Sequence, residues 1–302
     1  MSKSGPKLAT VARVKALTEV QTGMVLIFEG TEKLHLILVL LLCVGMTIVI
    51  EMAPPSTTCY CINPKFFNPS KVPNDEKPWD QTQATWYGTP DGAGSDSGAC
   101  SYGKTVESPP ISKLTAAVGH YIFRQGYGCG ACYEVKCTDN AACSGKPVTV
   151  VVSDECPSCS GYHFNLSGAA FASIANPGQQ DILRKLGQVN LQYRRVSCSF
   201  GRSIAFRMGE NSEPNKLEVS MEYVNGDADI HIENGPEQGL EISHVWGATW
   251  SVFAGGYAIQ PPFNFTLVQR YPDGTKGKTI LVPNIFTQDW KIGQVYQSTI
   301  NF

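Results

Sequence analysis

The sequence predicts a mostly β chain of two domains, a disulfide-closed barrel followed by a small β-sandwich, and three observations carry that expectation. The chain has 302 residues, 42% hydrophobic and only 17% charged, which is enough for two cores rather than one. Gly at 29, Pro at 19 and aromatics at 10% favour turns and short strands over long helices. All but one of the 11 cysteines lie beyond the N-terminal apolar segment, an even number suited to pairing in an oxidising compartment.

That segment, residues 34–50, LHLILVLLLCVGMTIVI, is 17 residues long with one His and no Asp, Glu, Lys or Arg, and it contains Cys43. It is short for a bilayer span and close to a signal-peptide core. Ala53 is a small residue at a cleavage position, and no Lys/Arg cluster follows as a stop-transfer signal, so residues 1–53 read as a secretory signal rather than a retained anchor. The 33 residues ahead of the apolar run are long for such a lead, and Met24 offers an alternative start. Residues 54–80, rich in Asn, Pro and Lys and without periodicity, read as an extended lead.

Residues 81–200 alternate short apolar runs with Gly-rich turns. ACYEVKC, KPVTVVVSDEC and GQVNLQYRRVSC read as strands, and VTVVV, being continuously β-branched, is expected to be buried on both faces. The one convincing helix is SGAAFASIA, with Ser167 as N-cap and Asn176-Pro177-Gly178 as the stop. Over residues 201–302, KLEVSMEYV alternates with period two and reads as a half-buried strand, with Leu217, Val219, Met221 and Tyr223 facing in. ADIHIENG repeats the pattern, Asp273-Gly274 marks a hairpin, and no helix is evident, so this part reads as a sandwich.

The formal net charge of −2 gives no reason to invoke nucleic acid. Residues 203–302 carry 6 Lys+Arg against 11 Asp+Glu, so an anionic polymer is disfavoured there and a solvated acidic face is the simpler expectation. Cys129-x-x-Cys132 and Cys156-x-x-Cys159 superficially resemble a zinc ribbon, but the crowding of Cys100, Cys137, Cys143 and Cys198 around them favours disulfides. His120, His231 and His244 are scattered without ligand spacing, so no metal and no other cofactor is assigned.

Cleaving a glycosidic bond takes two carboxyl groups, and residues 81–200 offer Asp91, Asp96, Asp139, Asp154 and Glu155. Asp154 stands out at the end of an apolar run, a partly desolvated setting suited to an acid, although a strand-terminal Asp that caps a turn is equally ordinary. Trp86 and Tyr87, in TWYG, have rings able to lie on the apolar faces of sugars, or to pack in a core. Trp246 and Trp250, four apart in HVWGATW, pose the same choice, and even spacing on one strand would put both on one face.

Taken together, CINPKFFNPS, ATWYGTPDGAGSDSGACSYG, GCGACYEVKC, VVVSDECP, HFNLSGAAFASIA, LEVSMEYVNGDADI, WGATWSV and the closing INF resemble a plant β-expansin, and the chain is similar also to the group-1 grass pollen allergens. The resemblance implies a six-stranded double-psi β-barrel followed by an immunoglobulin-like, polysaccharide-binding β-sandwich. It implies a monomeric secreted protein of the cell wall, with peripheral membrane association as an alternative. Such a protein binds xylan-type matrix glycans and cellulose and loosens the wall without hydrolysis. It further implies a groove in which Trp86 and Tyr87 on the barrel, and Tyr223 and Trp250 on the sandwich, serve as platforms, with Thr85, Asp96, Asp154 and His163 as cleft positions. Cys100–Cys129, Cys132–Cys198 and Cys137–Cys143 would pair, leaving Cys156–Cys159 as an extra pair and Cys59 and Cys61 without assigned partners.

The barrel is similar to that of glycoside hydrolase family 45, and expansins keep the acid of its His-Phe-Asp motif while lacking the base. Here the matching position is Asn165, an amide that cannot act as a general acid. Three functions follow as expectations: non-hydrolytic wall loosening, a binding-only protein that lost activity with Asn165, and a weak lytic enzyme relying on Asp154. Asn165-Leu-Ser167 and Asn264-Phe-Thr266 are glycosylation sequons, of which Asn264 is the better acceptor.

Overall fold

A computed structural model describes residues 77–235 and 240–302, together with two short strands, β1 (Val25–Leu26) and β2 (Cys61–Ile62), which pair antiparallel. The remainder of the expected signal segment and lead, including Met24, Cys43, Ala53 and Cys59, lies outside the described residues. Among the described residues, no helix is long and apolar enough to cross a membrane.

Six strands close into a barrel in the order β3-β7-β4-β6-β5-β8, namely β3 (Asp80–Tyr87), β4 (Thr115–Val118), β5 (Cys132–Lys136), β6 (Val148–Glu155), β7 (Phe164–Ser167) and β8 (Val189–Val196). The β3–β7 and β4–β6 pairs are parallel and the others antiparallel. Alternation along each strand sends Ala84, Ala116, Val150, Val152, Phe164, Leu166 and Leu191 into one core. Burying a Phe164-sized ring contributes about 2 to 3 kcal/mol, and truncation to Ala would cost about 3 to 5 kcal/mol. The VTVVV run departs from its expectation at one end: Thr149 is exposed, and burial on both faces begins at Val150, where the neighbouring strands and loops cover the wall.

The helix starting at Ser167 forms as α2 (Gly168–Ser173), because the Ser167 hydroxyl accepts from Ala170 N at 3.1 Å. Two helices were not legible in the sequence. The four-residue α1 (His120–Phe123) and α3 (Gln180–Leu186) lack side-chain caps, and α3 buries only Leu183, so neither shows an apolar stripe.

The second domain has a five-stranded sheet in the order β12-β13-β10-β9-β16 and a three-stranded sheet in the order β11-β14-β15. These strands are β9 (Ala205–Met208), β10 (Lys216–Glu222), β11 (Asp229–Asn234), β12 (Glu241–Trp246), β13 (Thr249–Phe253), β14 (Phe265–Arg270), β15 (Lys276–Val282) and β16 (Val295–Gln297). Phe206, Phe265 and Phe286 pack edge and face between the sheets beside Leu217, Val219, Val252 and Leu267. The Asp273-Gly274 turn links β14 to β15, with Gly274 at φ 84° and Thr275 N donating to Asp273 Oδ1 at 2.8 Å. β10 alternates, but it is not half-exposed. Its polar face is also buried: Glu222, at 2% exposure, lies under Arg207 and against Thr105 of the barrel, Ser220 meets Thr249, and Glu218 is covered by Ser212, Asn211 and Lys216.

The meeting surface is charged. Arg207 Nη2 lies 2.8 Å from Glu222 Oε1 and donates to Thr105 Oγ1 at 2.9 Å and to the Tyr102 carbonyl at 3.3 Å. Arg124, at the end of α1, grips Asp229 of β11 with both guanidinium nitrogens, and Arg195 approaches the same carboxylate at 3.7 Å. Gly126 and Gly247 allow the backbones to close. A Cβ on Gly126 would lie 2.3 Å from Gly247 N, and one on Gly247 2.1 Å from the Ala99 carbonyl.

Four disulfides, Cys100–Cys129, Cys132–Cys198, Cys137–Cys143 and Cys156–Cys159, staple the barrel. Their loops differ in size, with sequence separations of 66 for Cys132–Cys198 and 3 for Cys156–Cys159. Chain entropy then assigns roughly 4 kcal/mol to the former and under roughly 2 kcal/mol to the latter. Thermal melts are expected to show a much larger loss for Cys132→Ser/Cys198→Ser than for Cys156→Ser/Cys159→Ser; equal losses would contradict this ordering.

Candidate functional site

Register alone assembles a row of side chains across four neighbouring barrel strands. Thr85 on β3 pairs with Asn165 on β7, Asn165 with Ala117 on β4, and Ala117 with Asp154 on β6. Three strand spacings make this row about 14 Å wide, long enough to lie under several sugar units. Ala117 at its middle is 2% exposed, while Thr85, Asn165 and Asp154 are half-buried.

At one end of the row, hydrogen bonds form a relay. Thr85 Oγ1 donates to Asn165 Oδ1 at 2.8 Å and lies 2.9 Å from His163 Nε2. With the Thr85 proton directed to Asn165, its lone pair faces an Nε2–H of His163. His163 is buried, and desolvation holds its pKa below the usual 6.5, which favours the neutral ring. The relay therefore ends on an amide oxygen and offers no acidic proton.

At the other end, Asp154 Oδ1 accepts from Ala99 N at 2.7 Å and Glu155 N at 2.8 Å. Gly98 permits this approach, since a Cβ there would meet the Ser153 carbonyl at 2.6 Å. Asp154 thus does cap a turn, as the plain reading of a strand-terminal Asp requires, and one of its oxygens is held by backbone. The Tyr87 ring packs on Gly94, and burial, then the Asp154 charge, push its hydroxyl up to about 12. That hydroxyl is buried beside Ser153 Oγ. Asp96 is exposed in the loop before Gly98, and no side-chain hydrogen bond among the described residues joins it to Thr85, Asn165 or Asp154. Asp91 is exposed as well, its carbonyl taking a hydrogen bond from Lys113. No group of three His, Cys, Asp or Glu side chains suited to a metal occurs among the described residues.

The aromatic side chains divide differently from the expectation. Trp86 alternates away from Thr85 and Tyr87, packs toward Phe171 at 6.4 Å and donates to the Arg184 carbonyl at 3.4 Å. Trp250 is 6% exposed, enclosed by Tyr127, His231 and His244. Tyr223 is 9% exposed, because a φ of 62° breaks the strand alternation and turns its ring beside Phe200 and under Arg202. Neither presents an open face. Trp246 does, at 44% exposure, seated on Phe123 at 5.4 Å between ring centroids. Trp246 and Trp250 do not share a strand: the first ends β12 and the second lies on β13, across a hairpin at Gly247-Ala248. Gly247, beside Trp246, packs on the carbonyl of Ala99, whose N–H binds Asp154, so the exposed tryptophan adjoins the Asp154 end of the row.

Comparison with known proteins bears on this arrangement. Residues 115–193 match a family model described as lytic transglycolase, and residues 204–286 match the expansin C-terminal domain. Expansin-B3 of Arabidopsis thaliana is 40% identical over 231 residues, covering 74% of this chain and 85% of that protein. The chain belongs to the β-expansin family. Expansin-B4 of Arabidopsis thaliana is 41% identical over 226 residues, covering 72% and 85%, and pollen allergen Phl p 1 of Phleum pratense is 38% identical over 229, covering 73% and 84%. A Clavibacter michiganensis expansin mutant crystallised with cellohexaose shares the double-psi barrel and sandwich fold, with a TM-score of 0.51 at 18% identity, covering 74% of this chain and 97% of that one. Expansins are polysaccharide-binding, wall-loosening proteins of the cell wall, and membership carries that function and an extracellular place to this chain.

His163, beside Thr85, and His231, stacked on Tyr127, share a property: desolvation holds both below the usual pKa. The unfolded chain, with imidazoles near 6.5, binds more protons as pH falls. Stability from these residues is therefore complete above about pH 6.5 and lost as pH drops through the lower folded values. The melting midpoint is expected to fall between about pH 7.5 and about pH 5, and to fall less in His163→Gln and His231→Gln variants. A midpoint that rises over that interval would contradict the assignment.

Proposed function

We propose that this β-expansin loosens the wall by binding neutral matrix glycans and cellulose along the Thr85–Asp154 row and Trp246, and that it breaks no glycosidic bond. The observation that carries the reading is the relay from His163 through Thr85 to Asn165. It supports the reading by tying up, as a hydrogen-bonded amide, the position to which the resemblance assigns a glycosidase's proton donor, with Asp154 across the row and one of its oxygens tied to backbone. Hydroxyl and amide groups suit sugar hydroxyls, and the open Trp246 ring suits a pyranose face. The cellohexaose held by the bacterial relative supports an extended oligosaccharide as ligand. Secretion through residues 34–50, function as a monomer and N-glycosylation at Asn264 belong to the same reading. Asn165 is a poor acceptor, because it sits inside the barrel wall between β3 and β4 with its amide oxygen engaged by Thr85.

A second reading, a single-acid lytic enzyme using Asp154, draws support from the lytic transglycolase likeness of residues 115–193. Extension of isolated walls under constant load, with released sugar ends measured in the same bath, separates the two. Creep without new chain ends is expected for the wild-type protein; new ends that disappear in Asp154→Asn would establish the enzyme instead. Trp246→Ala is expected to weaken polysaccharide binding about tenfold, corresponding to a stacking contact of about 1.4 kcal/mol. Equal binding by Trp246→Ala and wild type would remove that ring from the site.

A further inference from the structure

Beyond Thr85, the barrel continues into a feature that neither the row nor Trp246 uses. The outward face of β3 carries Gln81, Gln83, Thr85 and Tyr87, since Ala84 and Trp86 alternate inward. On the side of β3 away from Asn165 lies β8, where Gln83 pairs with Asn190 and Gln81 with Gln192. These four amides, with Thr138 and Asp139, line an open groove of about 390 Å³. Asn190 Nδ2 donates to Asp139 Oδ2 at 2.5 Å, and the loop carrying Asp139 is closed by Cys137–Cys143, so one wall of the groove is held in place.

We propose that this amide groove is a further subsite for a neutral β-linked glycan chain, one strand beyond Thr85 and at the opposite end of the row from Trp246. The inference rests on the polysaccharide-binding reading above. Each side-chain amide offers two donors and an acceptor without charge, and so matches the alternating donor and acceptor character of sugar hydroxyls at low desolvation cost. Gln83 and Thr85 lie two residues apart on the same face of β3, and β8 flanks β3 on the side away from β7, so the groove adjoins the Thr85 end of the row. Asp139 sets the selectivity, because a carboxylate in the groove repels uronate-bearing chains and tolerates unsubstituted ones.

The test is titration of the ¹⁵N-labelled protein with cellohexaose and, separately, xylohexaose, following the side-chain amide signals of Gln83 and Asn190 beside the backbone signals of Thr85 and Trp246. The expected result is that all four shift together with at least one hexaose. Gln83→Ala/Asn190→Ala, at two exposed positions, should then bind that sugar about tenfold more weakly, for loss of two hydrogen bonds. Shifts at Thr85 and Trp246 with still Gln83 and Asn190 signals, or unchanged affinity in a double variant that melts like wild type, overturn the subsite and leave the row intact. No shift anywhere with either sugar overturns the row and the subsite together.

Discussion

The arrangement of this molecule depends on two carboxylates of the sandwich that are buried against arginines. Asp229 receives Arg124 and Arg195 from the barrel, while Glu222, neutralised by Arg207 of its own sheet, meets Thr105. Removing one member of such a buried pair leaves a desolvated charge and costs about 3 to 5 kcal/mol. The guanidinium forks are directional, so they fix orientation as well as contact. Gly126 and Gly247 then permit backbone approach, and Tyr127 is held between His244 and His231 at ring separations of 4.2 and 5.0 Å. Two domains with separate cores thereby present one surface.

Function follows from what that surface aligns. Ala99 touches both ends of the joint: its N–H binds Asp154 and its carbonyl packs on Gly247, next to Trp246. An exposed tryptophan contributed by the sandwich therefore abuts a polar row contributed by the barrel. Along that row Asn165 closes a hydrogen-bond relay with Thr85 and His163, and in the proposed function this amide stands in place of a proton donor. Binding energy spread over such a surface can compete with the hydrogen bonds between wall polymers, which requires grip and shape but no covalent step.

Much of this was legible in the sequence wherever a local signal determines the outcome. Ser167 caps its helix, Asp273-Gly274 turns its hairpin, and the cysteine pairs implied by the expansin resemblance form. What sequence could not give depends on contacts far along the chain. The polar face of β10 looked solvent-facing until Arg207 and Thr105 covered Glu222. Trp246 and Trp250 looked equivalent until a hairpin separated them, and Tyr223 looked like a platform until a left-handed φ turned it. α3 escaped notice because one buried leucine makes no stripe. The Thr85–Asn165–Ala117–Asp154 row arises from register between strands up to 80 residues apart, and no local pattern encodes it.

If the charge clamp is what joins the two halves of the binding surface, its removal must weaken sugar binding without touching any residue of the row. The most direct measurement is the affinity of Asp229→Ala for cellohexaose, taken where both cores remain folded. Binding is expected to weaken by about tenfold, as the Trp246 half is released from the barrel half. Affinity equal to wild type in the folded variant would contradict it.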